Sequence, residues 1–187
     1  MRTLVIGPSG SGKTTLVKEL LTDGSLAMDI DWFGVHAKSE NAHGFDWIVP
    51  KRSMNAVFRN PLDVVVAGWC NNMLVNHQYE GYDYKAGKYA KLKEKPIAYS
   101  WDWDSRLVLV YDPTDEEYEA RFNSGHRDNP FGKSREDWEK MKPWVEDMYF
   151  HPPKGFKAVD VTGVYGPELR KLPELEPLFQ TTVGGSK

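Results

Sequence analysis

The sequence predicts an α/β fold in three layers, a five-stranded parallel sheet with helices on both faces and a small lid. Three observations carry this expectation. Five short apolar runs are spread along the chain, several of them rich in β-branched residues. Such runs suit parallel strands covered on both faces. The stretches between them are mostly long enough for crossover helices. The first run also passes through a glycine-rich turn directly into a helical pattern. At 187 residues the chain can bury the core of one such domain, assigned to residues 1–180, with residues 181–187 as a flexible tail.

The elements follow in order. Thr3-Leu4-Val5-Ile6 is the first strand, and Lys13 to Thr22 the first helix, with Leu16, Val17, Leu20 and Leu21 on one face. Asp23-Gly24 supplies its stop. Residues 27–33 read as a second strand, 62–68 as a third, 106–111 as a fourth and 156–161 as a fifth. After the fourth strand, Thr114 and Glu117 have capping-box spacing, which predicts a helix that carries Arg121 and ends near Asn123-Ser124-Gly125. Ser134 and Asp137 repeat the spacing at the head of another helix, which would bury Trp138, Met141 and Val145.

The turn after the first strand reads Gly7-Pro8-Ser9-Gly10-Ser11-Gly12-Lys13-Thr14, followed by Thr15, and fits G-x-x-x-x-G-K-[ST] at every fixed position. Each residue type has a mechanical reason. Glycines let the backbone curl so that successive N–H groups face one anion. A lysine in that place reaches the β- and γ-phosphates of a nucleotide, and the following hydroxyl can ligate Mg²⁺. A helix N-terminus behind the loop favours phosphate through its dipole. Gly7, Ser9, Gly10, Ser11, Gly12, Lys13, Thr14 and Thr15 are therefore the expected nucleotide-binding residues.

Ligands of parallel sheets bind outside the carboxyl ends of the strands. At the end of strand two, Asp29 and Asp31 alternate and would project to one side; Asp31 is the candidate base and Asp29 the candidate partner of Thr14 in holding Mg²⁺. The competing reading is a pair of solvated strand-end carboxylates. Trp32 follows on the acceptor side. Strand three ends in Ala67-Gly68-Trp69-Cys70-Asn71-Asn72 without a terminal Asp, so metal would be held mainly by Thr14, phosphates and water. Gly68 permits close backbone approach, and Asn71 and Asn72 either meet the acceptor or cap the next helix. Cys70 reads as a small buried residue.

Between the two later helices lies a polar, Gly/Pro-punctuated segment, about 121–135, that carries Arg121 and Arg127. Arginine suits the spread charge of a transferring phosphoryl group, and a closing loop excludes water. The alternative for such a segment is a solvated basic turn. Thr162-Gly163 after strand five forms a turn that either receives an adenine edge or merely precedes the last helix. The segment 79–103 interleaves Tyr79, Tyr82, Tyr84, Tyr89, Trp101 and Trp103 with lysines, as a base-stacking surface would, or as an ordinary solvated loop would.

Composition excludes some classes. A net charge of −3 gives no global case for nucleic acid or membranes, although a local patch can exist. One cysteine excludes an intramolecular disulfide and suits a reducing compartment. The immediate first strand predicts no leader peptide, and no stretch has the length of a membrane span. These features predict a cytoplasmic protein and leave monomer and homodimer both open.

In Gly7 to Thr15, the Asp29/Asp31 strand and the segment from Arg121 to Ser134, the chain resembles small P-loop kinases of the adenylate kinase and shikimate kinase type. The resemblance spans the chain in element order, with the P-loop as its specific part. It implies a five-stranded parallel sheet, Mg-ATP as donor, and an acceptor held between strand two and the middle of the chain. In scale and Trp-rich style the chain is also similar to bacteriophage kinases that phosphorylate 5-hydroxymethyluracil within DNA. That likeness implies a nucleotide or DNA acceptor. Two other expectations stand beside it: a kinase of a small polar metabolite, and a nucleotide-dependent switch without an acceptor.

Overall fold

The computed structural model describes residues 2–33, 35–38, 45–48, 59–60, 62–66, 79–83, 88–91, 103–124 and 135–179. Strand β1 (Thr3–Ile6) is wholly buried and lies in the middle of a five-stranded sheet. Its neighbours are β5 (Val64–Val66) and β8 (Ser105–Val110), with β2 (Ala27–Asp29) and β9 (Lys157–Asp160) on the edges. All four pairings are parallel; Thr3 is level with both Val64 and Ser105. The expected sheet is therefore the observed one.

Period-two alternation sorts the strands' side chains into two cores. On one face Val5, Val64, Val66, Leu107 and Leu109 pack with Leu16, Val17 and Leu20 of helix α1 (Lys13–Thr22). On the other, Leu4, Ile6, Val65, Val108 and Val110 pack with Ile30 and Met148. Leu21, expected on the buried face of α1, is 45% exposed, because it falls at the edge of the stripe formed by positions 13, 16, 17 and 20.

Two local expectations change. The second strand stops at Asp29, and Ile30–Phe33 form a 3₁₀ turn. The cause is local: Asp29 Oδ1 accepts the Asp31 N–H at 3.0 Å, a side-chain turn that competes with the ladder. Asp29 and Asp31 are thus not alternating residues of one strand. Helix α2 (Glu116–Ser124) is capped by Asp115, whose carboxylate accepts the Glu117 N–H at 2.9 Å. Thr114, expected to be the cap, instead donates its N–H and hydroxyl to Asp112 Oδ1 at 2.8 and 2.7 Å.

Helix α3 (Arg135–Phe150) begins where the second capping box places it and runs through an exposed Pro143. Buried Trp138 on one side of that proline, and Val145 and Met148 on the other, anchor both halves. The segments on either side of β5 include two antiparallel pairs, β3 (Val35–Lys38) with β4 (Phe45–Ile48) and β6 (Tyr79–Asp83) with β7 (Lys88–Lys91). The described residues end with a 3₁₀ turn (Gly166–Lys171) and helix α4 (Glu176–Phe179); Leu169, Leu178 and the intervening Leu175 join the α1 core. Arg170 ties this end to α1, pairing with Asp23 at 3.3 Å and lying over the Phe179 ring at 5.0 Å. Among the described residues no helix is long and apolar enough to cross a membrane.

Candidate functional site

The loop between β1 and α1 is built around one carbonyl. Pro8 O accepts the Ser11 N–H at 3.2 Å, the Ser11 hydroxyl at 2.8 Å and the Lys13 ammonium at 2.7 Å. Ser11 therefore shapes the loop from inside it, and its amide faces Pro8. Gly10 and Gly12 have φ near +84° and +82°, a conformation that costs any other residue steric strain. Gly7 is held by space instead: a Cβ there would stand 2.6 Å from Leu109 O and 2.7 Å from Ser11 Oγ. The first hydrogen bond of α1 runs from Leu16 N to Gly12 O at 2.8 Å. The Thr14 and Thr15 amides ahead of it lack acceptors within the helix. Unpaired amides at a helix N-terminus suit an anion.

Lys13 is 8% exposed, so its charge is close to the loop and largely shielded from water. Across the loop, Thr14 Oγ1 donates to Asp29 Oδ2 at 2.8 Å. Asp29 is buried and spends its other oxygen on the Asp31 amide. Burial, and then the neighbouring Asp29 carboxylate, raise the pKa of Asp31 above its ordinary 3.8, while Lys13 pulls it back. Lys13, Thr14, Asp29 and Asp31 thus converge at the carboxyl ends of β1 and β2, although Asp31 arrives there on a 3₁₀ turn. In the same turn Trp32 and Phe33 are 49% and 38% exposed.

Hard oxygen donors at Thr14 and Asp29 fit Mg²⁺, which keeps several waters and takes few protein ligands. Among the described residues there is no group of three or more His, Cys, Asp or Glu arranged to hold a metal.

On the other side of β8 the structure places two tyrosines that the sequence reading passed over. Tyr111, buried just after β8, donates its hydroxyl to Ser9 O at 2.8 Å. Tyr118, buried in the first turn of α2, donates to Val161 O at 2.6 Å and accepts the Gly163 N–H at 3.0 Å. Their rings stack at 4.0 Å with 2° between planes. A tyrosine directly after a strand and another seven residues later were the available signals, and core packing explains both equally well from sequence.

Thr162 and Gly163 do form a turn beyond β9, and the Thr162 hydroxyl and both amides are engaged internally. The Thr162 hydroxyl donates to Asp160 and accepts the Asp112 N–H at 3.0 Å. Gly163 has φ +67°, with no atom within 4 Å of where a Cβ would stand, so the turn is open on that side. Arg121 lies in α2, with its side chain outside the described residues; Arg127, Gly68, Asn71, Asn72 and residues 181–187 also lie outside them.

No protein-family model and no curated protein matches the sequence. Among solved structures, deoxyadenosine kinase from M. mycoides with bound dATP is similar, with a TM-score of 0.44 and 15% identity over 86% of this chain and 91% of that one. An unliganded sugar kinase from Janibacter sp. is similar with a TM-score of 0.41 and 16% identity, over 86% of each chain.

Proposed function

We propose that the chain is an ATP-dependent kinase that transfers the γ-phosphate to a hydroxyl of a nucleotide-type acceptor. The observation that carries this reading is the convergence of Lys13, Thr14, Asp29 and Asp31 on one glycine-formed anion cradle. Lys13 has the charge and the reach to stabilise the phosphoryl group in transit. Asp31 accepts the proton of the attacking hydroxyl, the hydroxyl oxygen forms the new bond to phosphorus, and the bond from phosphorus to the β-phosphate oxygen breaks. A carboxyl with raised proton affinity is suited to that task. Thr14 and Asp29 would hold Mg²⁺, which when bound neutralises phosphate charge. Arg127 and Arg121 complete the phosphoryl site from the lid, Thr162 and Gly163 border the donor base, and Trp32, Gly68, Asn71 and Asn72 face the acceptor.

Trp32 supports an aromatic acceptor, because it is exposed one residue from the proposed base. The likeness to phage kinases makes the hydroxymethyl group of 5-hydroxymethyluracil in DNA the acceptor to examine first. The deciding experiment incubates the protein and γ-labelled ATP with nucleosides, nucleotides, polar metabolites, and DNA with or without hydroxymethylated pyrimidines. Label on a nucleotide or DNA hydroxyl is expected. Label on a metabolite alone overturns the acceptor class, and slow hydrolysis with no transfer overturns the kinase.

A further inference from the structure

We infer that Tyr111 and Tyr118 are positioning residues that set the phosphate loop and the turn after β9 as the two ends of one donor site. This inference rests on the donor reading above. β1, β8 and β9 are consecutive in the sheet, so the stacked rings stand over the strand that separates the two loops. Each hydroxyl ends on backbone of a different loop: Tyr111 on Ser9 O, Tyr118 on Val161 O and Gly163 N.

The consequence follows from peptide planarity. In a trans peptide the C=O and the next N–H point in opposite directions. Holding Ser9 O toward Tyr111 therefore turns the Gly10 N–H away from Tyr111, toward the hollow of the loop. Holding the Gly163 N–H toward Tyr118 likewise turns the Thr162 C=O outward, as an acceptor on the open side of Gly163. One tyrosine thus orients an anion donor, and the other orients a carbonyl able to meet an exocyclic amino group on the nucleotide base. Packing alone would need only the rings, which phenylalanine supplies; the hydroxyls are what reach the two loops.

The test compares binding of ATP and of inorganic tripolyphosphate to the parent protein, Tyr118→Phe and Tyr111→Phe, with thermal melts to show that each variant is folded. Tyr118→Phe is expected to weaken ATP by about three- to tenfold, the worth of one ordered hydrogen bond, and to leave tripolyphosphate unchanged. Tyr111→Phe is expected to weaken both ligands by a similar factor. A merely structural role would move both ligands together in Tyr118→Phe. That result, or no change in either ligand, overturns the inference and leaves the donor site standing. A parent that binds neither ATP nor tripolyphosphate overturns the donor reading and this inference with it. Should Tyr111→Phe fail to fold, the Tyr118→Phe ratio decides alone.

Discussion

Thr14 Oγ1 and Asp29 Oδ2 lie 2.8 Å apart, joining the first turn of α1 to the end of β2 over the intervening strand β5. The bond brings a hydroxyl and a buried carboxylate to one point beside the glycine-rich loop. If that point is where Mg²⁺ binds, both residues act through the same ion. Thr14→Ala and Asp29→Asn should each raise the Mg²⁺ concentration for half-maximal transfer by about tenfold. The double variant should be little worse than the weaker single one, because coupled residues are not additive. Mg²⁺ titrations of the four proteins check this. Fully additive losses would separate the two residues.

Lys13→Met should reduce transfer by about 10²–10³-fold, the usual cost of losing one charged donor at a developing charge. The fold should survive the change. Methionine fills similar space, and Pro8 O keeps the Ser11 amide and hydroxyl as donors. Single-turnover transfer alongside a thermal melt separates the two effects, and near-normal turnover would remove Lys13 from the chemistry.

Asp31→Asn should slow turnover by roughly 10²-fold, with ATP affinity changed much less. Its effect on stability has the opposite sign. Because the folded protein raises the pKa of Asp31, the carboxyl contributes stability that is fully present below 3.8 and lost as pH rises through the folded value. Nucleotide-free protein in chelator should therefore melt lower than Asp31→Asn at neutral pH, and the gap should narrow toward acid. A gap that widens toward acid would contradict the burial of this carboxyl.

Most of the sheet and the glycine positions of the loop after β1 could be read from the sequence, because each rests on local signals. Apolar β-branched runs mark the strands, and Gly7, Gly10 and Gly12 stand where only glycine satisfies the backbone or the space. What escaped rests on competition between neighbours or on partners far away in the chain. Asp29 ends its own strand by taking the Asp31 amide, and Asp115 wins the helix cap once Thr114 is bound to Asp112. The Tyr111 and Tyr118 hydroxyls meet backbone groups 102 and 43 residues away, which no spacing rule encodes. Pro8 is similarly silent in sequence, since its role belongs to a carbonyl that every residue has.

Gly7→Ala should destabilise the protein by about 1–3 kcal/mol, the usual cost of overpacking. The obstacle is Leu109 O, a backbone atom of β8 that cannot move without disturbing the sheet. Ser11 Oγ could rotate aside, but only by giving up Pro8 O. Either adjustment deforms the cradle, so ATP binding should fall in protein that is still folded. Denaturant unfolding and ATP titration on the same samples check both statements.

Trp32→Ala offers the sharpest separation of acceptor from donor. Trp32 is 49% exposed, so its loss should cost about 1–2 kcal/mol of stability, which a thermal melt reads separately from the kinetics. Stacking of a base on an aromatic ring is worth about 1–3 kcal/mol, which corresponds to a rise in acceptor KM of roughly tenfold or more. The KM for ATP should stay put, because Trp32 belongs to the turn after β2 while the proposed donor site lies at the ends of β1, β8 and β9. Phe33, exposed in the same turn, provides the comparison: if Phe33→Ala raises acceptor KM and Trp32→Ala does not, the platform is the neighbouring ring. An acceptor without an aromatic ring would be indifferent to both substitutions, and the kinetics would then point to a small polar substrate.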